Sequence, residues 1–165
     1  MEMGNNMPAT PKEYFRSMGI LHKAMVIGAV LFAVVTIIVV QANGGGVLGA
    51  AETKRTGLVF LIVAAILAGV CFFRAYMSYN KSVNNIRNGE GSLLKKLNQY
   101  HSALILYLAL CEGGTLFSII VYFLTGDYKA LIITVIMAAA MIQKAPVQKK
   151  IADELGLDWK EQQQF

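Results

Sequence analysis

YHSALILYLALCEGGTLFSIIVYFLTG, residues 100–126, is the stretch whose reading decides the fold. A helix needs about 20 predominantly apolar residues to cross a bilayer, and this run supplies them. Near its middle stands one ionisable residue, Glu112, followed by Gly113 and Gly114. No other expected span carries an acid or base at that depth. A carboxyl so placed is costly in hydrocarbon, so it is kept protonated, hydrogen-bonded, or used.

The rest of the chain agrees with a membrane reading. Of its 165 residues, 56% are hydrophobic and only 15% are charged, against about 25% charged in soluble domains. The apolar residues come in blocks and not at amphipathic spacing. The net charge of +5 is modest, and no basic stripe carries the interleaved aromatics of a nucleic-acid surface. Cys71 and Cys111 both lie in apolar runs and read as small buried residues. They match neither a metal-ligand pattern nor a secreted disulfide framework. About 20 mostly polar residues precede the first apolar run, so that run reads as a retained span.

In chain order, residues 1–9 are polar and read as disordered. Thr10-Pro11-Lys12-Glu13 is a helix start, with a capping threonine, proline at the first helical position and a glutamate able to close a capping box. The segment carrying Tyr14, Phe15, Met18 and Leu21 reads as the foot of the first span, about 24–40. Gln41 to Arg55 reads as a flexible glycine-rich loop. The second span, about 57–73, holds Ala64, Ala65, Ala68 and Gly69, small residues that permit close helix approach. Polar sequence with few breakers then continues to Gln99, with a turn at Asn88-Gly89-Glu90-Gly91 and Ser92 as the next cap. This predicts a helical hairpin closed by Val83, Ile86, Leu93, Leu94 and Leu97. The third span, about 102–124, ends in a tight turn at Thr125-Gly126-Asp127. The fourth, about 128–142, is short, and Lys129 and Lys144 can snorkel to extend it. Pro146 breaks the helix. Residues 145–165 read as an amphipathic tail, with Asp158 and Glu161 in a second capping-box pattern.

Basic residues set the orientation. Lys12, Arg16 and Lys23 lie in the N-terminal segment, Arg74, Lys81, Arg87, Lys95 and Lys96 between spans two and three, and Lys144, Lys149, Lys150 and Lys160 in the tail. The other two loops hold only Lys54, Arg55 and Lys129. The positive-inside rule then puts both termini and the middle hairpin in the cytoplasm. His22, Arg74, His101, Lys129 and Lys144 read as interface anchors.

Glu112 is the strongest candidate for chemistry. Thr115, Thr36, Thr134 and the backbone beside Gly113 and Gly114 are the expected hydrogen-bonding partners. Three readings stand: a protonated acid bonded to a neighbouring helix or second copy, a proton or cation site, and a carboxyl facing a water-filled cavity. No span sets two histidines, or a histidine and a carboxylate, at metal-ligating spacing. No nucleophile stands with its base, and no cofactor motif is present.

Tyr100, Ser102, Ala103, Leu104, Ile105, Glu112, Gly113, Leu124, Thr125, Gly126 and Pro146, with the start at residues 10–15, resemble the pattern of an uncharacterised family of small four-span inner-membrane proteins of the Bacteroidota type. The resemblance implies four helices in the inner membrane and brings no assigned activity. The helix around Glu112 also resembles the carboxylate helix of rotary-ATPase proteolipid subunits. There the acid lies in a different span and the cytoplasmic loop is shorter. Small multidrug resistance transporters share four spans and one membrane glutamate, but theirs lies in the first span.

The expectation is an all-α polytopic membrane protein with four transmembrane helices in two hairpins, a cytoplasmic helical hairpin between spans two and three, and both termini in the cytoplasm of a bacterium. It binds no cofactor, metal or nucleic acid. It acts as a non-enzymatic accessory or scaffolding subunit, self-associating or packed into a larger membrane complex. Gly113, Gly114 and the four small residues of span two are the helix-packing candidates. The alternative is a small proton- or ion-coupled transporter using Glu112.

Overall fold

The computed structural model describes residues 10–48, 50–89 and 91–158, with the side chains of 50–55 left aside. The expectations for residues 1–9, Glu90 and Glu161 lie outside it. Among the described residues every regular element is a helix: α1 (Pro11–Ala42), α2 (Ala50–Asn88), α3 (Leu93–Thr125), α4 (Lys129–Gln143) and α5 (Gln148–Leu155).

The capping box forms. Glu13 N donates to Thr10 Oγ1 at 3.4 Å and Thr10 N to Glu13 Oε2 at 3.3 Å, so two orphan amides of α1 are satisfied at the predicted residue. Helix α1 then runs 32 residues without a break, about 48 Å at 1.5 Å per residue. That exceeds a hydrocarbon core of about 30 Å, so the helix is longer than a span requires. Tyr14, Phe15 and Met18 of its first turns are buried in one apolar cluster with Leu97, Tyr100, Leu104, Ile151 and Leu155.

Helix α3 is the centre of the bundle and packs on α1, α2 and α4. Half of its most apolar stretch is buried, against 17% for α1 and for α2. The two outer helices instead expose Ile27, Leu31, Val35 and Ile38, and Leu58, Ile62, Ile66 and Phe73. An apolar outer surface of this extent has no place in water and suits lipid. Three helices, α1, α2 and α3, are long and apolar enough to cross a membrane. Helix α4 has 15 residues, about 22 Å, and meets the requirement only together with α5, from which it is bent by 78° at Ala145-Pro146.

Two sequence expectations are corrected here. Helix α2 begins at Ala50, so the last residues of the expected loop from Gln41 to Arg55 are helical. The glycine loop ahead of it is docked, not loose. Val47 N donates to Phe123 O at 3.2 Å and Leu48 N to Leu124 O at 2.9 Å. A helix leaves its last carbonyls unpaired, and the loop supplies the missing donors to α3. Contact this close needs glycine. A Cβ on Gly46 would fall 2.5 Å from Gly126 N and Leu124 O. Gly126 itself caps α3 in the left-handed region at φ 68°.

The predicted α2–α3 hairpin forms, and Ile86, Leu93 and Leu97 are buried in it. Leu94 is exposed, because one residue is about 100° of helix rotation and carries it off the face shared by Leu93 and Leu97. Ser92 sits at the N-cap but makes no side-chain cap bond.

Candidate functional site

Inside the apolar length of α3, Cys111, Gly114 and Thr115 face the bundle and are buried. Glu112 is half-buried and Gly113 exposed. The hydroxyls expected to serve Glu112 are engaged elsewhere. Thr115 donates to Cys111 O at 2.9 Å and Thr36 to Phe32 O at 2.8 Å. Ser118 donates to Thr115 O and stands 2.8 Å from the Thr134 hydroxyl, which also reaches Ala130 O at 3.3 Å. Each hydroxyl has one proton, and a helix offers it a carbonyl one turn back. The hydroxyl protons of Thr36, Thr115 and Ser118 are thus spent on backbone carbonyls and not on the carboxyl.

The small-residue candidates divide into two sets. Ala64, Ala68 and Gly114 lie inside the bundle. A Cβ on Gly114 would come within 2.8 Å of Met137 Cε and 3.3 Å of Ala68 Cα, so this glycine sets the spacing of α2, α3 and α4. Ala65, Gly69 and Gly113 face outward, and a Cβ on Gly69 or Gly113 would meet nothing within 4 Å.

A second polar constellation lies where the α2–α3 hairpin meets the tail. Tyr79 from α2, Tyr100 from α3, Lys144 after α4 and Glu154 from α5 converge. Tyr79 donates its hydroxyl to Glu154 Oε2 at 2.5 Å. The Tyr100 hydroxyl lies 3.1 Å from the same oxygen and 2.8 Å from that of Tyr79. Lys144 Nζ pairs with Glu154 Oε1 at 3.5 Å and sits 4.1 Å above the centre of the Tyr79 ring. Burial, reinforced by the neighbouring oxygens, holds the phenol of Tyr79 far above its ordinary range. Burial also raises Tyr100. Both therefore remain protonated donors to the carboxylate.

The same region closes the end of α4. His22 Nε2 donates to Met141 O at 2.9 Å, Tyr107 to Ala140 O at 3.3 Å and Lys150 to Gln143 O at 2.6 Å. These carbonyls belong to the last turn, which carries partial negative charge and favours such donors. His101 stands edge-on to Tyr14 with ring centres 6.4 Å apart. Its Nε2 is buried with no hydrogen-bond partner among the described residues, and burial lowers its pKa.

Of the expected interface anchors, Arg74 is exposed and Lys129 lies 4.0 Å from Asp127 with its side chain 71% exposed. His22 and Lys144 are drawn into the packing just described. The tyrosine–glutamate–lysine constellation escaped the sequence reading, since its members come from four separate segments. The available signal was the apolar stripe Ile151, Ala152 and Leu155, which had to be buried against something. No three His, Cys, Asp or Glu side chains among the described residues are grouped as a metal site.

No family model, curated protein or solved structure matches this chain.

Proposed function

We propose that the chain is a four-span protein of a bacterial inner membrane with both termini and the α2–α3 hairpin in the cytoplasm. It acts as a non-enzymatic accessory or scaffolding subunit, and the Glu112–Gly113 side of α3 packs against another membrane helix, from a second copy or a larger complex. The observation that carries this reading is the division at residues 112–114. Gly114 is consumed by packing inside the chain, while Gly113 is exposed and Glu112 only partly buried. A carboxyl at that depth gains most from a partner, and an open glycine beside it admits a close helix. The distribution of lysine and arginine supports the orientation, and Lys129 at the start of α4 supports a fourth, short span.

The test uses Gly113→Leu and Glu112→Gln in the full chain, with subunits counted per nanodisc and co-purifying membrane proteins identified. A leucine at 113 has room within one chain, so the reading expects a folded protein that loses its partner. Glu112→Gln keeps a hydrogen-bonding group and should keep assembly. Full assembly of Gly113→Leu would overturn the reading. The ion-coupled alternative draws on the same half-exposure of Glu112. It expects Glu112→Gln to abolish proton or cation flux in proteoliposomes while assembly is unchanged.

A further inference from the structure

The α2–α3 hairpin bears an open cavity of about 570 Å³ lined by Ser82, Asn85, Lys95, Lys96, Gln99 and Ser102, among others. Its polar end is basic. Lys95 and Lys96 are the charged side chains of its lining. Asn85, Asn98, Gln99 and Ser82 add neutral side chains able to donate, whereas the Ser102 hydroxyl donates to Asn98 O at 3.1 Å. The lining is continuous with the apolar surface, ending in Ala103 and Leu106. Leu106 is 47% exposed and lies in the apolar length of α3.

Lys95 and Leu106 are eleven residues apart on one helix, roughly 16 Å. The headgroup layer of one leaflet is about 5–8 Å thick. The cavity therefore reaches from beyond the headgroups to the first part of the acyl region. A soluble anion would use only its polar end. A phospholipid would use both, with phosphate near the lysines and a chain along Leu106. Basic pockets beside spanning helices on the cytoplasmic side take anionic headgroups in this way.

We propose that this cavity binds the phosphate-bearing headgroup of an anionic phospholipid, with Lys95 and Lys96 supplying the charge and the Asn85 and Gln99 side chains the hydrogen bonds. The site requires the chain to span a membrane. It does not depend on assembly through Glu112.

The experiment is native mass spectrometry of the full chain released from nanodiscs of equimolar phosphatidylcholine and phosphatidylglycerol, read as the ratio of the two lipids retained. The wild type should retain phosphatidylglycerol selectively. Lys95→Gln with Lys96→Gln should reduce that selectivity about tenfold. The control, Lys12→Gln with Lys23→Gln, removes equal charge from exposed positions of α1 and should leave it intact. Asn98→Trp, which narrows the cavity without changing charge, should also reduce retention. Equal retention by the Lys95/Lys96 variant, or an equal loss in the control, would overturn the site. A parallel titration with inorganic phosphate separates the sources. Millimolar phosphate that displaces the lipid completely, or binds while neither lipid is preferred, would overturn the lipid assignment.

Discussion

Glu154 receives hydrogen bonds from Tyr79 and Tyr100 and an ion pair from Lys144, while Glu112, half-buried in the apolar length of α3, receives none from the hydroxyls around it. One carboxylate is absorbed by the fold, and it fastens the tail to the hairpin. The other is left over by the fold. The Glu154 carboxylate at the end of the bundle is served by neighbours from three other segments. In the middle, the hydroxyls of Thr36, Thr115, Ser118 and Thr134 find carbonyls of their own helices. Under the proposed function, Glu112 is the carboxyl whose partner comes from another molecule.

The largest effect should come from breaking the absorbed carboxylate. Glu154→Ala leaves two buried phenols and a mostly covered ammonium without their common partner. It should lower stability by about 3 kcal/mol, seen as a reduced melting temperature in detergent and as proteolytic release of the tail. A tail that stays protected would show that apolar burial of Ile151 and Leu155 suffices. Next come the two adjacent glycines. Gly114→Ala pushes against Met137 and Ala68 and should cost about 1–3 kcal/mol. Gly113→Ala meets open space and should be neutral or stabilising by up to about 1 kcal/mol, since alanine favours the helix. Comparable melting shifts for the pair would remove the inside–outside distinction on which the account depends.

A smaller effect is expected from pH. Burial lowers the pKa of His101, so the fold favours the neutral ring. That contribution is complete above the unfolded value of about 6.5 and is lost as pH falls through the lower folded value. The melting temperature should decline from about pH 6.5 downward, and His101→Gln should flatten that decline. An unchanged slope in the variant would assign the pH response to other groups.

The helices were legible because their signals are local. The capping box at Thr10, the end of α2 at Asn88 and the end of α3 at Thr125-Gly126 all fall where the residues dictate. The glycine loop was misread because the carbonyls it satisfies belong to a helix about 80 residues away. The Tyr79–Tyr100–Glu154–Lys144 constellation was hidden for the same reason. Tyr79 is 2% exposed and Tyr76 50%. The two lie three residues apart in sequence, and only packing tells which one meets the tail. Glu112 was visible as an anomaly from the first. Its partial burial, and the inward turn of Gly114 against the outward turn of Gly113, needed the structure.

The central claim is that Glu112 faces a partner helix, and its chemical accessibility tests this most directly. Native membranes would be treated with an apolar carbodiimide across pH 5–8, and modification at Glu112 read by mass spectrometry, before and after detergent dissociation of assemblies. The account predicts protection in the intact membrane at every pH and labelling once the partner is removed. Rapid labelling in the intact membrane with a titration between pH 5 and 8 would contradict it, and would identify Glu112 as a proton-exchanging site instead.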